Sequence, residues 1–209
     1  MAKYVITGGA GFIGCNTAHR FIQGGHEVVI IDNLSRKGGA ANLDWLRTAG
    51  AFTFIQADLR DAAALHAVFQ EHRDVDAVAH LAGQVAVTTS VIHPREDFEC
   101  NALGTFNLLE AVRQSGQKPL VIYSSTNKVY GGMEEIAIEE LPDRYAYRDY
   151  PLGIPETITL DFHSPYGCSK GAADQYVRDY SRIYGIPTVV MRQSCIYGYR
   201  QFGVEDQGW

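Results

Sequence analysis

The chain of 209 residues reads as an α/β protein: a parallel, doubly wound sheet of six strands in the order 3-2-1-4-5-6, with helices on both faces. Two observations predict this. Short apolar runs alternate with helix-period segments from one end to the other. The apolar runs are also continuous in Val, Ile and Phe, as strands are when both sides of a sheet are covered.

In chain order, Lys3–Thr7 is the first strand and Phe12–Gln23 the first helix, closed by Gly24-Gly25. Glu27–Ile31, Phe52–Gln56 and Ala77–His80 follow as strands, separated by helices at Ala40–Thr48 and Ala62–His72. A long helix is expected over Pro94–Gln114, with Gly116 just beyond it, then a strand at Leu120–Tyr123. The last pair is a helix over Pro165–Tyr184, where Ser164 precedes a proline at the first helical position, and a strand at Thr188–Met191. Residues Gly131 to His163 carry three prolines (142, 151, 155) and no sustained period, so a long loop bordering the site is expected there.

Composition narrows the function. A hydrophobic content of 46% is ample for one core, and a formal charge of −6 with a pI near 5.6 argues against a nucleic-acid surface. No apolar stretch is long enough to span a membrane, and the N-terminal strand begins without a secretory h-region. The four cysteines (15, 100, 168, 195) form no C-x-x-C pair and no metal-ligand cluster. They read as buried free thiols of a cytoplasmic protein, with no metal site.

Gly8, Gly9, Gly11 and Gly14 follow the first strand and open the first helix. Without Cβ atoms the backbone can turn sharply and approach a pyrophosphate at the helix N-terminus, with Phe12 and Ile13 beside it; Gly14 would allow close packing of the helix. Asp32, at the end of the second strand, suits the adenine ribose hydroxyls and repels a 2′-phosphate, which favours NAD over NADP. Arg36 and Lys37 nearby weaken that preference. Asn33, Asp58, Leu59, Leu81 and Ala82 stand at the carboxyl ends of the next strands, the binding edge of a Rossmann-type sheet.

A second constellation lies at the same edge. Tyr166 and Lys170 are four residues apart on one helix face, and Thr126 closes Ser124-Ser125-Thr126 after the fifth strand. A free phenol, with a pKa of about 10, is a poor base at neutral pH. The Lys170 ammonium and a positive nicotinamide ring would favour its phenolate, letting Tyr166 take a hydroxyl proton while Thr126 holds the same oxygen.

Together these motifs resemble the extended short-chain dehydrogenases/reductases, the NAD-dependent sugar epimerase/dehydratase family. Asp32–Gly38, Ala82–Ser90, Ser125–Gly131, Leu160–Lys170, Tyr199–Phe202 and Asp206–Trp209 carry a closer likeness to the branch that epimerises C2 of a CDP-linked dideoxyhexose. The resemblance implies oxidation at C2 to a ketone by tightly held NAD, then reduction on the other face. Dehydratases of the family place an Asp-Glu pair where this chain has Asn127 and Lys128, so dehydration is not expected. Epimerisation at C4 of UDP-glucose or a related nucleotide sugar is the alternative. The resemblance also implies a substrate domain beyond residue 209, residues 1–209 being the cofactor domain, and a homodimer through the two long helices or a higher homo-oligomer. Were the chain naturally this short, a catalytically inactive NAD-binding module would be the remaining reading.

Overall fold

The computed structural model describes residues 1–203. Its sheet contains β1 (Lys3–Thr7), β2 (Glu27–Asp32), β3 (Thr53–Gln56), β4 (Ala77–His80), β5 (Leu120–Thr126) and β8 (Thr188–Gln193). The order is β3-β2-β1-β4-β5-β8, all pairs parallel, so the expected 3-2-1-4-5-6 arrangement is present. The helices are α1 (Phe12–Gln23), α2 (Gly39–Arg47), α3 (Ala62–Glu71), α4 (Val87–Ile92), α5 (Pro94–Phe98), α6 (Gly104–Gln114) and α7 (Ser164–Tyr184).

Val5, Val29, Val78, Val121 and Tyr123 meet Leu65, Phe69, Leu108, Leu109 and Val177 on one face of the sheet. Ile6, Val28 and Ile30 meet Cys15, Ala18 and Leu46 on the other. Burial of apolar area on both faces supplies the driving force, at about 25 cal/mol per Å².

Four features depart from the sequence expectation. The 94–114 helix is continuous but not uniformly α: Glu99–Leu103 forms a π turn, with Gly104 N–H donating to Glu99 O. Strand β5 runs on through Ser124–Thr126, polar residues that β8 pairs with at Met191–Gln193. α4 forms in a β-branched segment, with Ser90 buried and its hydroxyl donating to Val87 O at 2.6 Å. The long loop holds a short antiparallel pair, β6 (Ile138–Glu140) with β7 (Tyr145–Tyr147), too brief and exposed to leave a period.

The thiol reading also needs correction. All four cysteines are free, but only Cys15 is buried; Cys100 is intermediate, and Cys168 and Cys195 are exposed. At the start of α7, Ser164 does act as a cap: its φ of +63° lies outside the helical range and its Oγ accepts the Gly167 N–H at 3.2 Å. Among the described residues no helix is long and apolar enough to cross a membrane.

Candidate active site

The carboxyl ends of β1, β2, β4, β5 and β8 line one edge of the sheet, and two groups of residues gather there. The first is the glycine loop. Gly8 adopts φ +69°, and a Cβ on it would lie 2.7 Å from Ala82 N, so the loop rests directly on Leu81-Ala82 after β4. A Cβ on Gly14 would come within 2.0 Å of Gly8 O. Gly14 therefore packs α1 against the loop itself rather than against the sheet.

Gly11 precedes α1, and its N–H is already donated to Gly8 O at 3.0 Å. The first-turn N–H groups of Phe12 and Ile13 have no acceptor within the helix and can meet an anion. A backbone cradle with no room for side chains fits a dinucleotide pyrophosphate.

Asp32 ends β2. Its Oδ2 accepts the Ala10 N–H at 3.0 Å and its Oδ1 the Leu34 N–H at 2.8 Å, which aims the carboxylate beside the loop. Asn33 donates to Asp58 Oδ2 at 2.8 Å, and Arg60 clasps Asp58 through both oxygens at 2.9 and 2.8 Å. The Arg60 hydrogen bonds hold the Asp58 carboxyl far below the usual carboxylate range. Leu59 is buried under α6, where a Cβ on Gly104 would meet it at 2.9 Å.

The second group is made of buried polar side chains. Thr126, Tyr166 and Lys170 are all buried where β5 meets α7. Thr126 caps the short 3₁₀ turn Asn127–Tyr130 through the Lys128 N–H, 3.2 Å away. Lys170 donates to Ser124 O at 2.6 Å, and its Nζ lies 4.4 Å from the centre of the Tyr123 ring. Burial pushes Lys170 down to about 7, against the pull of Asp97 and Asp174. Burial likewise raises the Tyr166 phenol, with Thr126 opposing it; desolvation is the largest of the effects on it.

The shell around these residues leaves little local pattern in the sequence. His80 is fully buried, and burial lowers its pKa to about 3, so it is neutral. The donors around it settle its tautomer. Thr105 Oγ1 donates to Asn101 O at 2.6 Å and so accepts from His80 Nε2 at 2.8 Å; His80 Nδ1 then accepts from Thr7 Oγ1 at 2.7 Å. Thr7 Oγ1 in turn accepts the Ala82 N–H at 3.3 Å. One relay thus joins the rim of the glycine loop to the π turn.

That turn carries Asn101, whose Nδ2 reaches Gln84 O at 3.0 Å, Asp97 Oδ1 at 3.1 Å and Ser169 Oγ at 3.3 Å, while its Oδ1 is buried without a partner. Asp97 also accepts from Gln84 at 2.8 Å and from Ser169 at 2.5 Å. One turn further along α7, Asp174 takes Ser125 Oγ at 2.9 Å and a two-pronged Arg192 guanidinium at 2.9 and 3.0 Å. Polar residues inside otherwise apolar helix faces, Asn101 above all, were the available signal in the sequence.

The chain is similar to several known proteins. The chain is 52% identical to CDP-paratose 2-epimerase of Salmonella typhi over 99% of its own length and 61% of that protein's. It superposes on UDP-glucose 4-epimerase of Thermotoga maritima, solved with UDP-glucose, with a TM-score of 0.81 at 32% identity, covering 99% of this chain and 60% of that one. A dTDP-glucose 4,6-dehydratase of Streptomyces venezuelae, solved with NAD and TYD bound, gives a TM-score of 0.78 at 30% identity over 95% and 57%. The chain therefore spans about three fifths of these relatives. A model of the GDP-mannose 4,6 dehydratase family matches residues 5–205. The chain belongs to that family, within the extended short-chain dehydrogenases/reductases that its motifs resemble.

Proposed function

We propose that the chain is the cofactor-binding and catalytic part of an NAD-dependent nucleotide-sugar epimerase, with CDP-paratose and CDP-tyvelose, epimers at C2, as substrate and product. The observation that carries the reading is the meeting of the two groups at one sheet edge. The glycine loop rests on Ala82, and a Cβ on the next residue, Gly83, would lie 4.0 Å from Lys170 Nζ. The 52% identity to a CDP-paratose 2-epimerase supports the choice of sugar.

NAD⁺, when bound, accepts a hydride from the sugar carbon and returns it, and its positive ring favours the phenolate of Tyr166. Gly8, Gly11, Phe12, Ile13 and Gly14 would hold the pyrophosphate, Asp32 the ribose, and Asn33, Asp58 and Leu59 the adenine side. Leu81 and Ala82 would flank the nicotinamide half.

Tyr166 takes the proton from the sugar hydroxyl and later gives it back; Thr126 holds that oxygen in line, and Lys170, one helical turn from Tyr166, supplies positive charge to the same pocket. After the first transfer the ketone turns over in the pocket, so reduction on its other face inverts the centre. Asn127 and Lys128 follow Thr126, leaving no carboxylate there to eliminate water.

The remaining sugar and nucleotide contacts belong, in this reading, to a domain beyond residue 209. A second copy of the chain would cover the apolar side chains that α5–α7 leave exposed, Phe98, Phe106, Tyr176 and Ile183 among them. The free cysteines suit a cytoplasmic setting.

The test is a substrate panel. The complete gene product is incubated with CDP-paratose, UDP-galactose and dTDP-glucose in turn, and products are identified by NMR. Conversion of CDP-paratose alone is expected. Turnover of UDP-galactose instead would move the assignment to C4, and NAD binding without any turnover would leave a binding module.

A further inference from the structure

The segment after β8 returns to the glycine loop. It leaves the sheet beside the catalytic edge, where Gln193 pairs with Thr126, and crosses α1 and α2 at Ile196–Phe202. Three anchors hold it there. Asn16 Nδ2 donates to Tyr199 O at 2.8 Å. Arg200 donates from Nε to Asn42 Oδ1 at 2.9 Å and from a terminal nitrogen to Ala41 O at 2.8 Å. Phe202 lies over Gly38, where a Cβ would come within 2.2 Å of its ring.

The Arg200 guanidinium is also enclosed by aromatic rings, its central carbon 5.2 Å from the centre of Trp45, 5.8 Å from Tyr199 and 5.6 Å from Phe202. Its backbone sits at φ +70°, a conformation a non-glycine residue keeps only where the surroundings demand it.

Asn42 links this anchor to the loop. It is 2% exposed, and its Nδ2 donates to Ala10 O at 3.1 Å. The Ala10 N–H is held by Asp32, and the Gly11 N–H by Gly8 O. The peptide between Ala10 and Gly11 is thus pinned at both ends, at the point where the loop turns into α1. Arg200 holds the oxygen of the Asn42 amide; the nitrogen of that amide holds the loop.

We infer that Arg200 is a positioning residue for the cofactor loop: acting through Asn42 on the carbonyl of Ala10, it clamps the glycine loop with the segment that follows β8 and thereby slows release of a bound dinucleotide. The inference rests on the reading of Gly8–Gly14 as the dinucleotide site.

The experiment measures the NAD⁺ dissociation rate by displacement, with urea unfolding alongside, for the wild type, Arg200→Gln, Arg200→Lys and Asp32→Ala. Arg200→Gln should release NAD⁺ about tenfold faster, the loss of roughly one charge-assisted hydrogen bond. Arg200→Lys should fall between it and the wild type, because an ammonium can reach Asn42 but cannot fork to Ala41 or lie flat on the rings. The unfolding midpoints of both Arg200 variants should stay near the wild type's. Equal release rates in the wild type and both variants would overturn the inference, as would faster release that merely tracks a fall in the unfolding midpoint. A wild type that binds no NAD⁺, or an Asp32→Ala variant that binds it unchanged, would instead overturn the reading of the site.

Discussion

The two halves of the binding edge are built from different materials. Around β1 and β2 the loop is shaped by backbone: Gly8 against Ala82, Gly14 against Gly8 O, and peptide groups tied to Asp32 and Asn42. Around β5 and α7 the site is a set of buried side chains, Thr126, Tyr166, Lys170, Asp97 and Asp174, among which burial raises the Tyr166 phenol and lowers the Lys170 ammonium. Backbone sites are rigid and tolerate no added atoms. Side-chain sites tolerate isosteric change but lose their chemistry with it.

The largest expected effect separates chemistry from binding. Tyr166→Phe keeps the ring and removes the proton acceptor, so turnover of the complete gene product should fall about 10³-fold while NAD⁺ affinity stays within a factor of about two. Rate and calorimetric affinity measured on one preparation decide it; a parallel loss of affinity would blur the division between the halves.

Gly14→Ala attacks the other half. Its methyl group would sit 2.0 Å from Gly8 O, a backbone atom that cannot step aside, so a stability loss of about 3 kcal/mol or more in urea unfolding is expected, together with loss of NAD⁺ binding.

Lys170→Met should stabilise the fold while abolishing turnover. The folded pKa of about 7 is depressed from 10.5, so the folded state binds the lysine proton less tightly than the unfolded chain. The resulting destabilisation is fully present below about pH 7 and fades as pH rises toward the unfolded value of about 10.5. The variant should therefore be about 1–4 kcal/mol more stable at pH 6, with the difference shrinking by pH 9. Thermal melts at both pH values read this directly, and a gain that did not shrink would contradict the buried-cation account.

Thr105→Val breaks the relay and leaves His80 Nε2 without an acceptor, for an expected loss of about 1–3 kcal/mol. Arg95→Ala marks the small end of the scale. Its side chain is 89% exposed in the pair with Glu99, and its melting temperature should match the wild type's.

The same contrast explains what could be read in advance. Glycine spacing, the acid ending β2 and the order of strands are local, and they appear in the letters of Gly8 to Gly14, in Asp32 and in the apolar runs. The shell is not local. Asp97 meets Ser169 across 72 positions and Thr7 meets His80 across 73, and neither separation leaves a period. The π turn at Glu99–Leu103 is hidden for a different reason: five residues are too few to set a period of their own. The stretch Tyr199–Phe202 is visible as a likeness to relatives, but its contact with α2 emerges only in three dimensions. Of the remaining stretches that carried the likeness, Asp206–Trp209 lies outside the described residues.

In the proposed mechanism Tyr166 and a bound NAD⁺ oxidise the sugar carbon and reduce it again. The most direct measurement follows CDP-paratose deuterated at C2 by NMR through turnover by the complete gene product. Inversion at C2 with the deuterium kept on that carbon is expected; inversion with the deuterium lost to water would rule out hydride transfer.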